Sequence, residues 1–361
     1  MSLLWMDYEE EFERLVDVAH QLEVEDNQEY FDNMTKRVKK IVSRDTRYNI
    51  DFLYTAYVLK EQKIMEDYAV WLYELMASVL KNRTHIQSVK YVVKHLGYIK
   101  KAVEQTVGAE KVPELQRLLT CAQDSIRAQV TEGSEDSSKK GIEYVPQESA
   151  WEKEIREYMQ ALFDKDMRKA LQLVQKFTER GIPATTIYVD ILAESMCRVG
   201  ELWHTAKITV DTEHYCTSVT QMAMASMYPE LFSEKRKNKT ILCACPGTEL
   251  HEMGARMVAD LFENDGWNGI FLGAAVPQDA MMEAISADKP DLVALSVTMP
   301  QHLLTCEELV KAIKKEFPDI RIAVGGGAFR STHELWKRWP VDIYTEDARE
   351  LLKWANAEIT K

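Results

Sequence analysis

The hydrophobic pattern changes its period part-way along the chain. Up to Val103, apolar residues recur every third or fourth position. They run Phe12, Leu15, Val16, Ala19; then Phe52, Tyr54, Ala56, Tyr57, Leu59; then Tyr68, Trp71, Leu72, Leu75, Met76; then Val92, Leu96, Ile99, Val103. That spacing lays one apolar stripe along each of several helices. Glycine and proline are sparse here, so residues 1–130 are expected to form an all-α domain of roughly five to seven helices. The stripe Tyr68, Trp71, Tyr73 reads as core before it reads as a ligand cage, and the basic residues from Lys81 to Lys101 as solvated helix surface. Thr131 to Ser149 contains TEGSEDSSKKG and no apolar period, which makes 131–149 a linker.

Four more helical stretches follow in residues 150–232: Trp151–Phe163, Met167–Arg180, Ala184–Trp203 and Thr212–Tyr228. Gly181-Ile182-Pro183 breaks the second from the third, Pro229 closes the last, and Asp211 and Thr212 offer N-caps. Helices of this length with short connections predict a four-helix bundle. Beyond Lys239 the rhythm becomes strand and helix in turn. Strands are expected at Thr240–Cys245, Gly269–Leu272, Leu292–Ser296, Ile320–Gly325 and Val341–Tyr344. Helices are expected at Glu252–Glu263, Asp279–Ala287, Leu304–Phe317, Thr332–Arg338 and Glu346–Ala357. Residues 233–361 therefore predict an α/β, doubly wound parallel sheet with helices on both faces. A flavodoxin-like order, 2-1-3-4-5, would bring the ends of strands one and three together at the switch point.

Composition narrows the function classes. A chain of 361 residues with 46% hydrophobic and 29% charged residues is an ordinary globular composition with room for more than one domain. A net charge of −13 argues against a nucleic-acid surface, which needs clustered cations to replace counterions. There is no apolar run of membrane-spanning length, and Met1–Glu11 is acidic and aromatic, unlike a signal peptide. The six cysteines form no CxxC pair, and Cys243 and Cys245 alternate on one strand face. Buried free thiols in a reducing cytoplasm are the expectation.

The candidate chemistry sits at strand ends. Glu249-Leu250-His251-Glu252-Met253-Gly254 directly follows the first strand, so His251 lies at the carboxyl edge of the sheet, where open parallel sheets bind ligands. A metal-bound imidazole commonly donates its other ring N–H to a carboxylate, which suits Glu249. Gly254 is expected to allow close packing where the next helix starts. Ser296-Val297-Thr298 and Gly325-Gly326-Gly327 end two later strands. The glycine run alone also fits a generic phosphate-binding turn, although no GxGxxG follows the first strand.

Taken together, Glu-x-His-x-x-Gly, then Ser-x-Thr, then a glycine run resembles the cobalamin-binding domain family, whose usual motif is Asp-x-His-x-x-Gly followed by Ser-x-Leu and Gly-Gly. The resemblance implies a base-off, His-on cofactor: His251 becomes the lower cobalt ligand in place of dimethylbenzimidazole. The nucleotide tail then enters a slot lined by Ser296, Thr298, Gly325, Gly326 and Gly327, where minimal side chains admit a flat base. Glu249 replaces the usual aspartate and is one methylene longer, so a displaced or water-mediated bond to His251 is expected. Thr298 replaces a leucine and adds a hydroxyl to the slot.

In the bundle, Val199-Gly200-Glu201-Leu202-Trp203-His204 with Glu213-His214 resembles the cap of light-responsive cobalamin-dependent regulators. The resemblance implies that Trp203 covers a 5′-deoxyadenosyl group, Glu213 accepts hydrogen bonds from its ribose and His214 lies beside it. It also implies that His204 takes the upper cobalt position after light breaks the cobalt–carbon bond. Core and helix-surface roles are the plainer alternatives for Trp203 and Glu213. The expected function is a non-enzymatic cobalamin-binding sensor, reporting its corrinoid state through the N-terminal helices to a protein partner or a second copy. Adenosylcobalamin is favoured over methylcobalamin or hydroxocobalamin. A corrinoid methyl carrier of a methyltransferase system is the alternative. No helix-turn-helix is visible, so direct DNA binding is not expected; neither is a membrane partner. A mutase would need a barrel-sized substrate domain, and haem-binding relatives of the fold generally lose His-x-x-Gly.

Overall fold

The computed structural model describes residues 9–33, 35–79, 84–130, 149–232 and 235–359. The linker expected at 131–149 lies outside the described residues apart from Ser149, as does the start of the basic stretch at Lys81. The chain divides into two compact units. The first comprises Met1–Ile142 with Met299–Thr305 and Ala328–Leu335. The second comprises Glu143–Thr298, Cys306–Gly327 and Trp336–Lys361.

The described residues of the first unit hold six helices before residue 131: α1 (Glu9–Asp26), α2 (Gln28–Asp32), α3 (Lys36–Leu59), α4 (Gln62–Val79), α5 (His85–Thr106) and α6 (Val112–Arg127). Their stripes bury Phe12, Leu15, Leu53, Met65, Leu96, Ile99 and Leu119. Thr84 and Gln87 form a capping box at the start of α5, which satisfies donors the first turn leaves open. Tyr68 stacks on Phe52 with ring centroids 3.7 Å apart, but Trp71 is 37% exposed, so the aromatic stripe is only partly core. A polar chain threads this core: Tyr68 donates to Asn49 (2.7 Å), which contacts His95 (2.8 Å), which faces Glu23 (3.1 Å).

In the second unit, the bundle consists of α7 (Glu152–Phe163), α8 (Met167–Glu179), a long third helix and α10 (Val210–Ser226). The third helix is interrupted: a turn at Ala184–Thr186 passes into a π-helical stretch, Ile187–Ala193, before α9 (Glu194–His204). Helix α10 begins ahead of the expected caps, because Thr209 takes the extended conformation before Val210 and its hydroxyl pairs with that of Thr212.

Five parallel strands follow: β1 (Thr240–Pro246), β2 (Asn268–Val276), β3 (Leu292–Ser296), β4 (Arg321–Gly325) and β5 (Ile343–Tyr344), in the order β2-β1-β3-β4-β5. Helices α11 (Met253–Asn264), α12 (Gln278–Asp288), α13 (Leu303–Glu316) and α14 (Ala348–Glu358) complete the layers. The helix expected at Thr332–Arg338 is absent. Two 3-10 turns, Gly327–Ser331 and Leu335–Arg338, stand there instead, with Glu334 between them at φ 55°, a backbone that ends helix propagation. All six cysteines are free thiols; four are buried, Cys121 is half-buried and Cys197 is exposed, so burial is not uniform as expected. No helix among the described residues is long and apolar enough to cross a membrane.

Bundle and sheet are pinned to each other within this unit. Tyr188 on the π-helical stretch donates to Asp260 of α11 (3.1 Å), and Arg349 of α14 holds Asp190 with one nitrogen (2.9 and 3.0 Å). Gln221 of α10 donates to Glu252 (3.0 Å), and Arg256 of α11 to Tyr228 (2.6 Å).

Candidate functional site

The site begins where β1 stops. After Pro246 the chain turns through Gly247, in the left-handed region at φ 67°, and the N–H of Glu249 returns to the Pro246 carbonyl (3.2 Å). That turn drops the Glu249 side chain inward, where it is fully buried. One carboxylate oxygen lies 2.6 Å from Nδ1 of His251 and accepts the His251 backbone N–H at 3.0 Å. The other accepts the backbone N–H of Thr298 at 2.9 Å, tying the end of β1 to the end of β3. The longer carboxylate therefore reaches His251 directly, and the displaced or water-mediated bond expected from its extra methylene does not arise. A buried acid between two backbone donors and an imidazole is compensated where an isolated one would not be.

His251 itself points out of this socket, its side chain 57% exposed. With Nδ1 committed to Glu249, Nε2 carries the outward lone pair whenever the ring is neutral, and it has no partner among the described residues. The Glu249 hydrogen bond raises the His251 pKa above its ordinary value against the lowering effect of desolvation. The Glu249 charge and, from the bundle, the Glu213 charge add to the rise. Glu213 thus stands near enough to His251 to act on it electrostatically. Its own carboxylate pairs with His214 (2.7 Å) and accepts from Thr217 (2.9 Å), and His214 is 75% exposed.

Beside the socket a cavity of about 190 Å³ opens between the sheet and helices α11 and α14. Ser296, Gly325 and Gly326 line its mouth from β3 and β4, and Gly254 lines it from α11. A Cβ added at Gly254 would meet nothing within 4 Å, so this glycine does not serve close packing as expected; it keeps the cavity open. Two glycines of the run are also required by the backbone. A Cβ at Gly325 would come 2.7 Å from the Thr345 carbonyl, and one at Gly326 (φ 96°) 2.3 Å from the Val297 carbonyl, so backbone approach demands both. Gly327 meets nothing nearer than 3.9 Å and does not line the cavity; neither does Thr298, whose part in the site is its backbone N–H.

The remaining bundle residues divide. Trp203 is half-buried near the end of α9, and His204, one residue on, is buried at 7% exposure. Neither lines the cavity. Sequence reasoning missed the π-helical wall, Val189 and Ala193, and the α14 wall, Ala348 and Leu351. The signal that would have found the cavity floor is a row of small residues, Cys243, Ala294 and Ala323, in register across three neighbouring strands. For the π-helical wall no residue pattern gave notice.

An outward imidazole on a buried carboxylate, beside an apolar slot kept open by glycine, fits a corrinoid whose base is displaced into the slot. The family comparisons agree. Residues 239–353 match the B12 binding domain family, and residues 154–227 match a second family with the same description. Bundle and sheet together, a little over half of the chain, belong to these B12-binding domain families: this is a cobalamin-binding protein. Among curated relatives, the HTH-type transcriptional repressor CarH of Myxococcus xanthus is 26% identical over 165 residues, 45% of this chain and 54% of the repressor. Trimethylamine corrinoid protein 1 of Methanosarcina acetivorans is 21% identical over 197 residues, 53% of this chain and 90% of that protein. The chain spans about half the length of CarH and 46% of the methanol–corrinoid protein of Methanosarcina barkeri. Among solved structures, the Methanosarcina barkeri monomethylamine corrinoid protein superposes with a TM-score of 0.50 at 21% identity, covering 57% of this chain and 98% of its own, a likeness of fold.

Proposed function

We propose that this protein is a cobalamin sensor that holds the cofactor base-off on His251 and passes its state to the N-terminal helices. When bound, an alkylcobalamin supplies a cobalt–carbon bond that light can break. The chain's own residues do the rest. Glu249 keeps the proton at Nδ1 and leaves Nε2 for cobalt. Trp203, Glu213 and His214 would cover the cofactor's alkyl group, adenosyl being favoured, and His204 would be the bundle imidazole available to hold cobalt once that group is lost. Ser296, Gly325 and Gly326 would line the slot for the nucleotide tail, with Thr298 and Gly327 next to them in the chain.

One observation supports sensing above all. The segments that leave these two cofactor-binding strand ends, Met299–Thr305 and Ala328–Leu335, belong to the N-terminal unit. Within that unit Glu61, 3% exposed, accepts the backbone N–H of His333 (2.9 Å) and faces its Nδ1 (3.1 Å), and Lys63 donates to the Arg330 carbonyl (2.9 Å). Chain continuity from Thr298 and Gly327 thus leads from the tail site into the helices that the sensor reading assigns to signalling, through contact with a partner or a second copy.

The test is hydrogen exchange on the adenosylcobalamin complex before and after complete illumination. Changed protection in 299–305, 328–335 and α4 supports the sensor. Unchanged protection there, together with acceptance of a methyl group from a corrinoid methyltransferase, supports the second reading. That reading, a methyl carrier, is favoured by the match over nearly the whole of trimethylamine corrinoid protein 1.

A further inference from the structure

The cavity beside His251 has a chemical polarity along its depth. Its floor is the in-register row Cys243, Ala294 and Ala323 on neighbouring strands, and its walls are Ala255, Val258 and Leu351 from the helices and Val189 and Ala193 from the π-helical stretch. Polar side chains stand only nearer the strand ends: Ser296, Thr345, Glu346 and Asp347. Three of these are already engaged. Asp347 accepts the Arg349 N–H (2.7 Å) as the cap of α14, the Thr345 hydroxyl donates to the Asp347 carbonyl (3.2 Å), and Glu346 accepts from the Tyr344 hydroxyl (2.5 Å). The Ser296 hydroxyl has no hydrogen-bond partner among the described residues. On the floor only the Cys243 thiol is polar. Its ionisation is pushed far up by burial, and a neutral thiol is a weak donor.

We infer that this slot selects corrinoids by the chemistry of their lower base, accepting an alkylbenzimidazole and discriminating against a purine. The inference rests on the reading that the tail enters this cavity, and deepens it. An alkylbenzimidazole presents methyl groups and a hydrocarbon ring to Ala294, Ala323, Val258 and Leu351. An adenine presents an exocyclic amine and ring nitrogens, and on the floor and walls only the weak Cys243 thiol could meet them. A polar group desolvated without a partner costs about 1–3 kcal/mol, which is roughly a 5- to 150-fold loss of affinity. The pocket also resists adapting. Its π-helical wall is held to α11 by Tyr188 and Asp260 and to α14 by Asp190 and Arg349.

The experiment measures dissociation constants of the full chain for cobalamin, for the adenine-containing cobamide and for cobinamide, which lacks the nucleotide tail, by equilibrium dialysis. The expected order places cobalamin tightest, with the adenine cobamide weaker by about 10-fold or more. Equal affinity for the two, each with a histidine-ligated spectrum, overturns the selectivity while leaving the cobalamin site standing. Uptake of none of the three overturns both. Ala294→Leu fills the floor and should bring cobalamin affinity down to that of cobinamide, with cobinamide binding unchanged as the check on folding. Ala323→Ser adds a floor hydroxyl and should narrow the gap between the two bases; an unchanged gap in a folded Ala323→Ser protein counts against the inference.

Discussion

Glu249 holds His251 directly: a carboxylate oxygen lies 2.6 Å from Nδ1, while its twin accepts the Thr298 N–H. One buried side chain thereby commits Nδ1 of His251 and joins the two strand ends of the switch point. Removing it strips both functions. Glu249→Ala should weaken cobalamin binding by about 10- to 100-fold, the usual effect of losing the group behind a metal-ligating histidine. Titration calorimetry measures it, and an unchanged affinity would detach Glu249 from the site.

The same pair gives a pH dependence. The pKa of His251 is raised from 6.5 by its hydrogen bond to Glu249, so folding favours the imidazolium. That contribution to stability is complete below 6.5 and is lost as pH rises through the higher folded value. Cobalt needs the neutral ring, so histidine-ligated uptake should grow as pH rises through the folded value. Glu249→Gln should bring the titration of His251 back down, as followed by histidine NMR in the apo-protein. A midpoint that does not move in Glu249→Gln would assign the shift to another cause.

Two glycines should separate stability from binding. At Gly326 the backbone is left-handed and a Cβ would strike the Val297 carbonyl, so Gly326→Ala should cost about 1–3 kcal/mol of stability or more. At Gly254 a Cβ has open space, so Gly254→Ala should melt like the wild type and lose cobalamin affinity. Thermal melts with paired binding measurements decide it. A large drop in melting temperature for Gly254→Ala would show a packing role.

For the cap, Trp203→Ala should reduce affinity for adenosylcobalamin more than for methyl- or hydroxocobalamin, by about 1–3 kcal/mol for an aromatic face lost from the adenine. Equal losses for all three cofactors would make Trp203 a core residue and favour the methyl-carrier reading.

The parallel sheet was legible because its strands are continuous apolar runs, and Leu292–Ser296 falls where the pattern put it. Glu249 and His251 were legible as a pair because two residues of separation on a loop can bring carboxylate and imidazole together. Their direct bond was not, since it depends on how far the turn at Gly247 sinks the side chain. The Thr332–Arg338 helix failed for a related reason: a helical period over so few residues does not outweigh the left-handed backbone at Glu334. The cavity floor lay in the sequence as unremarkable residues, Cys243, Ala294 and Ala323. Only strand register shows that they are neighbours. The burial of His204 is likewise set by tertiary packing, which local spacing does not carry.

The central claim is that His251 ligates cobalt with the benzimidazole displaced. Its most direct test is electron paramagnetic resonance of the complex in its cobalt(II) state, prepared with protein carrying ¹⁵N-labelled histidine and unlabelled cofactor. A nitrogen coupling split into doublets, lost in His251→Ala, is the predicted result. Triplet coupling from unlabelled nitrogen, unchanged in His251→Ala, would mean that the cofactor keeps its own base and would contradict the account.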